Sequence, residues 1–257
     1  MNALYRCAVA AAAAAIALVA PYAAHAAHPA TPFDVEFTGC VESIGVGLAP
    51  TANVVALTPA PFVPVGIADP VSPVVVRTAD CQGIAVDGRK AKPGSIVQIG
   101  AVIVPPDFQG DINNYAFWYY TTDEKLAQRL QDLGLAAQYV EPLRYDLDPA
   151  LPDVPNDLSV VVPRPGSPRF MLDGTVVPTT TPSGSFEAIW WSKTSAGTIR
   201  MDTLVPVIAT SLNADVTLTT DPASALGQLI GGATLPFVAI QQFNLFGAAH
   251  MAVTTVP

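Results

Sequence analysis

Hydrophobic residues dominate the middle of the chain in a way that predicts a sheet with a helix laid against it. Residues 96–104, IVQIGAVIV, form an apolar run too rich in Val and Ile for a surface strand, so both faces should be covered. Pro105-Pro106 ends the run, and residues 107–111, DFQGD, read as a turn. Residues 115–120, YAFWYY, are a second strand, almost wholly aromatic. Strand alternation places Tyr115, Phe117 and Tyr119 on one face and Trp118 and Tyr120 on the other. A helix then opens. Thr121 and Glu124 have capping-box spacing, and Asp123 is an alternative cap. Leu126, Leu130 and Leu133 make its apolar face, and Gly134 its stop.

The same reading extends along the chain. Strands are predicted at 33–47, 71–79, 84–86, 186–193, 198–209, 212–218 and 238–246. Residues 48–64 read as a short strand or an irregular crossing, and 136–147 as extended chain. Residues 148–185 hold eight prolines and two short strands, 158–162 and 170–177. With so little apolar content, this stretch reads as an elaborated surface loop or hairpin, not a second domain. A second helix starts at Asp221, with Pro222 in its first position, Leu226, Leu229 and Ile230 on its apolar face, and Gly231-Gly232 at its end. Thr-Thr-Asp precedes both helices and Gly follows both. That repetition is either ordinary cap chemistry or the mark of two pseudo-symmetric halves.

Residues 1–26 change the picture, because Arg6, the apolar stretch 7–20 and Ala24-His25-Ala26 fit a secretory signal peptide cut after Ala26. The apolar run is short for a bilayer span. Residues 27–257 then suit a single β-rich domain outside the cytoplasm, secreted or in the envelope or periplasm. The formal charge of −9 becomes −10 once Arg6 is lost, which argues against nucleic acid and anionic membranes as partners. Two cysteines remain, Cys40 and Cys81, and an oxidising compartment predicts a disulfide between them.

Candidate chemistry is sparse. The three histidines, His25, His28 and His250, support neither a zinc site nor a Ser-His triad. No P-loop, G-x-G-x-x-G or G-x-S-x-G is present, and no cofactor is called for. Asp107, Asp111, Asn113 and Asn114 offer hard oxygens, but their spacing fits an Asx-rich turn better than a calcium loop, so no metal site is assigned. Glu36, Glu42 and Asp80 read as exposed strand residues, with Arg77 and Asp80 as a pair; two of these carboxylates, if buried, would form an acid/base couple. Glu187, Lys193 and Arg200 read as cross-strand ion-pair residues. Lys193, beside Trp190 and Trp191, is also the best candidate for a nucleophile activated by burial. Of the aromatics, one set fills a core, and Trp118, Tyr120, Trp190 and Trp191, with Arg200, are candidates to line a ligand pocket.

The order strand, aromatic strand, Thr-Asp-capped helix, Gly, then a late strand and helix ending Leu229-Ile230-Gly231-Gly232 resembles the acetoacetate decarboxylase-like superfamily. The resemblance spans about residues 36–232 without the Pro-rich insert. It implies a β-rich α+β fold, a cone-like β-barrel with two short helices around an apolar cavity. It also implies a lysine pair in a G-x-P-K-K segment after the helix, one lysine forming a Schiff base and the other depressing its pKa. The corresponding segment here is Gly134-Leu135-Ala136-Ala137-Gln138, with non-basic residues, Ala137 and Gln138, at both lysine places and Ala136 at the proline. The resulting expectation is a barrel that binds a small apolar molecule without catalysis. The alternatives are a divergent decarboxylase-like or other enzyme using the same pocket, and a structural module without ligand.

Overall fold

A computed structural model describes residues 31–148, 150–164, 167–195 and 197–256. The proposed signal segment lies outside the described residues. Thirteen strands and three short helices make up the described chain. Seven strands close into a barrel in the spatial order β1 (Phe33–Pro50), β2 (Val71–Val86), β3 (Lys92–Val102), β4 (Ile112–Thr121), β9 (Gly184–Thr194), β10 (Gly197–Ser211) and β13 (Ile240–Val256), with β13 returning to β1. All pairings in this ring are antiparallel except β4 with β9. Closure removes the open edges that an apolar sheet of this size would otherwise present. A three-residue strand, β5 (Ala137–Tyr139), adds parallel to the far half of β4.

A second, five-stranded sheet runs β12 (Thr234–Pro236), β11 (Ala214–Thr220), β8 (Ser167–Val176), β7 (Asn156–Arg164), β6 (Arg144–Asp148). It covers the outside of the barrel. Two cores result. One fills the barrel, from Phe33, Val35 and Phe37 to Met201, Met251 and Val253. The other lies between barrel and sheet, where Val74, Val76, Val97 and Ile99 meet Leu158, Val160, Phe170 and Leu172. This explains the unbroken apolar run at 96–104: Ile96 faces the interior, and Val97, Ile99, Ala101 and Ile103 face the covering sheet. β12 comes close because β1 carries Gly45 and Gly47, where a Cβ would collide with the Phe237 ring and with Leu235.

The Pro-rich stretch is therefore more than surface. Its two short strands are β7 and β8, at the centre of the second sheet, and their inward side chains Leu158, Val160, Val162, Phe170, Leu172 and Val176 are buried. Period-2 alternation in a short hairpin leaves few apolar residues to count, yet the buried ones share one face.

The helices differ from expectation in number and caps. Residues 51–57, read as a strand or crossing, are helix α1 (Thr51–Leu57). Its buried side chains are Thr51 and Val54, three apart, too short a stretch for the period to show. Helix α2 (Glu124–Asp132) is capped by Asp123, whose carboxylate accepts from Leu126 N at 2.8 Å, while Thr121 accepts from Asp123 N at 3.0 Å and prepares the turn. Helix α3 (Ala225–Ile230) starts later than Asp221-Pro222 suggests. Ser224 caps it through Gly227 N at 2.9 Å, and Asp221 holds the preceding turn through Ala223 N. The two strand–helix units are not equivalent halves. Leu126 and Leu130 of α2, with Leu133 at its C-cap, plug one end of the barrel, whereas Leu226, Leu229 and Ile230 of α3 pack in the outer core.

Candidate active site

The barrel interior is layered along β1. From the plugged end its inward side chains run Phe33, Val35, Phe37, Cys40, Glu42, Ile44 and Val46. The inward positions pass from odd to even numbers across Gly39, which adopts φ 58°, while the register with both neighbouring strands stays unbroken. Cys40 lies directly opposite Cys81 of β2, and the two form a disulfide between adjacent strands. Above it comes a polar layer in which every strand of the barrel takes part: Glu42, Arg77, Gln98, Asn114, Trp190, Thr203 and Asn244. Each is at most 4 % exposed.

Two members of the layer carry opposite charges. Arg77 donates from Nε to Glu42 Oε2 at 2.5 Å and from Nη1 to Gln98 Oε1 at 2.6 Å. Asn244 donates to Glu42 Oε1 at 2.9 Å. A buried carboxylate thus has a charged partner and a second donor, the condition under which such a pair persists. Other polar atoms of the layer have no protein partner: Gln98 Nε2, Asn114 Oδ1, Trp190 Nε1, Thr203 Oγ1 and Asn244 Oδ1. The Tyr119 hydroxyl is unpaired as well; burial pushes this phenol far up, with Arg77 acting in the opposite direction.

On top of this layer sits a cavity of about 180 Å³. Glu42, Arg77, Asn114, Trp190 and Thr203 contribute its polar lining. Ile44, Val46, Val75, Phe186, Ala188 and Val205 supply apolar walls, and Asp111, Ile240 and Gln242 reach it at the end away from α2. Ile240 and Asp111 are exposed, which marks that end as the mouth. Asp111 Oδ2 is held by Glu187 N at 2.7 Å.

Of the aromatic and cationic residues expected to line a pocket, only Trp190 enters this cavity. A register shift between Ile99 and Gly100 leaves an extra residue in β4 at Phe117. Beyond that bulge the alternation changes phase, so Tyr115, Phe117 and Tyr120 join the outer core, Trp118 packs against it, and Tyr119 turns inward. Trp191 is also outside, donating to Asn113 Oδ1 at 2.7 Å and packing 6.0 Å from Phe62. Arg200 lies over the Trp191 ring at 5.4 Å and pairs with Asp107 and Asp202. Asp202 is itself raised by burial against the pull of Arg200. Lys193 is exposed, and its ammonium donates to Ala60 O at 2.9 Å. It shares a shallow outer depression with Trp118, Ser192 and Ala136. This exposed position differs from the burial beside Trp190 and Trp191 that the sequence suggested. The expected pairing of Lys193 and Arg200 with Glu187 is replaced by these contacts.

The carboxylates also sort differently from the sequence reading. Glu42 is buried and takes Arg77; Glu36 remains outside, paired with His250. Asp80 faces outward and accepts from Ser95 Oγ at 2.6 Å, its carboxyl raised by burial. The oxygen-rich loop is divided among different tasks. Asp107 closes a turn on Gln109 N, Asn113 bonds to Trp191, and Asn114 enters the barrel. Among the described residues no cluster of His, Cys, Asp and Glu could hold a metal ion.

None of the four lysines, Lys90, Lys92, Lys125 and Lys193, lines the cavity. Of the two places where the resemblance called for lysine, Ala137 is buried in the barrel core, and Gln138 is half-buried and accepts from Arg169. What sequence reading missed is the Glu42–Arg77–Gln98–Asn244 layer. The signal was there: in each case a polar residue stands in the apolar phase of a strand, as Glu42 does between Cys40 and Ile44, or Arg77 between Val75 and Ala79.

No protein-family description and no curated protein matches this sequence. Solved structures do match its fold. One described as acetoacetate decarboxylase has TM-score 0.57 at 11% identity, covering 90% of this chain and 91% of that one. The enduracididine biosynthesis enzyme MppR complexed with pyruvate has TM-score 0.55 at 10% identity, covering 87% and 88%. An acetoacetate decarboxylase-like enzyme from Sphingomonas wittichii has TM-score 0.54 at 12% identity, covering 95% and 97%. With a closed barrel, a covering sheet and near-complete mutual coverage, this chain has the acetoacetate decarboxylase-like fold.

Proposed function

We propose that the barrel binds a small, mainly apolar molecule in its interior cavity and performs no amine-based catalysis on it. The observation that carries this reading is the cavity itself, with apolar walls above a floor of buried, partly unpaired polar groups. Schiff-base chemistry needs an amine within reach of a bound carbonyl, and no lysine lines the cavity. The alternative, an enzyme using the same pocket, draws on the enzymes among its structural neighbours and on the Glu42–Arg77 pair, a buried carboxylate that could move a proton. The proposed setting is extracytoplasmic, in keeping with the Cys40–Cys81 disulfide; no helix among the described residues is long and apolar enough to cross a membrane.

The test uses mature, disulfide-intact protein. Calorimetric titration with 1-hexanol should give saturable binding, and Ala188→Leu, which places bulk inside the cavity, should remove it. Incubation with acetoacetate and borohydride, read by intact mass, should leave no adduct. A stoichiometric adduct on a single lysine would overturn the non-catalytic reading. Equal binding by the wild type and Ala188→Leu would overturn the site.

A further inference from the structure

Resting on the reading of the cavity as a binding site, we infer that its ligand is uncharged: a short hydrocarbon body with one carbonyl or hydroxyl group, and not a carboxylate. The charges around the cavity carry this. Three ionisable side chains line it, Glu42, Arg77 and Asp111. Arg77 is the single cation, and its Nε is already committed to Glu42 and its Nη1 to Gln98. The pair is neutral as a unit, and Asp111 at the mouth leaves the lining one charge negative. The chain as a whole carries −9, so the long-range field also repels anions.

A carboxylate reaching Arg77 would have to share that one guanidinium with Glu42. Two buried carboxylates on a single cation leave one negative charge uncompensated, an arrangement that costs several kcal/mol per ion. A neutral oxygen meets no such penalty. Trp190 Nε1 is an unpartnered donor and Thr203 Oγ1 an unpartnered hydroxyl on residues lining the cavity, and Asn114 Oδ1 is an unpartnered acceptor. Each of these residues is 1 % exposed. A carbonyl suits the donors, and a hydroxyl suits both kinds, whereas an ammonium, a donor only, would leave Trp190 Nε1 unpaired. The walls from Ile44, Val46, Val75, Phe186 and Val205 take the hydrocarbon.

The decisive comparison is 2-hexanone against hexanoate, equal in carbon count, titrated calorimetrically at pH 7.5 into mature oxidised protein. The ketone should bind about tenfold tighter or better than the carboxylate. In Glu42→Gln the guanidinium loses its counter-charge, and the ketone-to-carboxylate preference should fall by about tenfold or more. Hexanoate binding as tightly as the ketone in the wild type would overturn the inference while leaving the cavity a binding site. An undiminished preference in folded Glu42→Gln would also overturn it, because the pair would then not be what excludes anions. If neither compound binds, the binding-site reading falls, and this inference with it. Should Glu42→Gln fail to fold, the wild-type pair of titrations decides alone.

Discussion

Glu42 and Arg77 sit side by side inside a barrel whose neighbouring layers are apolar, and neither can lose the other cheaply. Removing one partner leaves the second charged and buried, with Gln98 or Asn244 as its remaining contact. Glu42→Leu alone should therefore cost about 3–5 kcal/mol in urea unfolding, in the range found when one partner of a buried pair is deleted. Adding Arg77→Met should restore most of that loss, since an apolar pair of similar volume needs no solvation. A double variant as unstable as the single one would show that the two charges contribute independently. Recovery in the double variant would show that apolar residues serve stability as well at these two positions.

Helix α2 acts as an element rather than as separate residues. It closes the barrel end with Leu126, Leu130 and Leu133, and its outer side is tied down by Arg129, which pairs with Asp87 at 3.1 Å and lies over the Phe33 ring at 4.7 Å. The helix spans only nine residues, too few to hold in isolation. Its position depends on the leucines and on the Asp123 cap. Asp123→Ala should lower stability by about 1 kcal/mol, as loss of an N-cap carboxylate does. The effect should appear as faster amide exchange in α2 before any change in β3 or β4. Equal acceleration in helix and strands would mean that the plug does not open independently of the barrel.

For the whole molecule the closing constraint is the disulfide. Cys40 and Cys81 face each other across β1 and β2, 41 residues apart in sequence, in the middle of the barrel wall. Bridging a loop of that length removes conformational freedom from the unfolded chain worth about 3–4 kcal/mol. Cys40→Ala with Cys81→Ala should lose about that amount. The loss should register together in Trp fluorescence and far-UV circular dichroism, because both cores share the barrel wall. Separate transitions by the two probes would show that the covering sheet and the barrel unfold independently.

Much of this architecture was open to reading from the residues in order. Strand placement, the aromatic strand, the α2 leucine face and the cysteine pair all depend on local periodicity, cap chemistry or composition, which a sequence carries directly, while the barrel fold was implied only by a resemblance. The facing of β4 was not, because the residue that shifts its phase, Phe117, is only extra relative to the register of β3. Helix α1 and the buried side of the Pro-rich hairpin escaped for the same kind of reason: each is too short to display a period and is stabilised by surfaces distant in the chain. The site shows the division most sharply. Sequence alone determined that this chain has no lysine pair after its helix and few groups capable of catalysis. That Glu42, Arg77, Gln98, Asn114, Trp190, Thr203 and Asn244 form one layer was decided only by barrel closure, since it joins seven strands across 202 residues of chain between Glu42 and Asn244. Whether a polar residue on an inward face is a misplaced surface group or part of a buried network depends on its partners across the barrel, and those are set by register, not by neighbours in sequence.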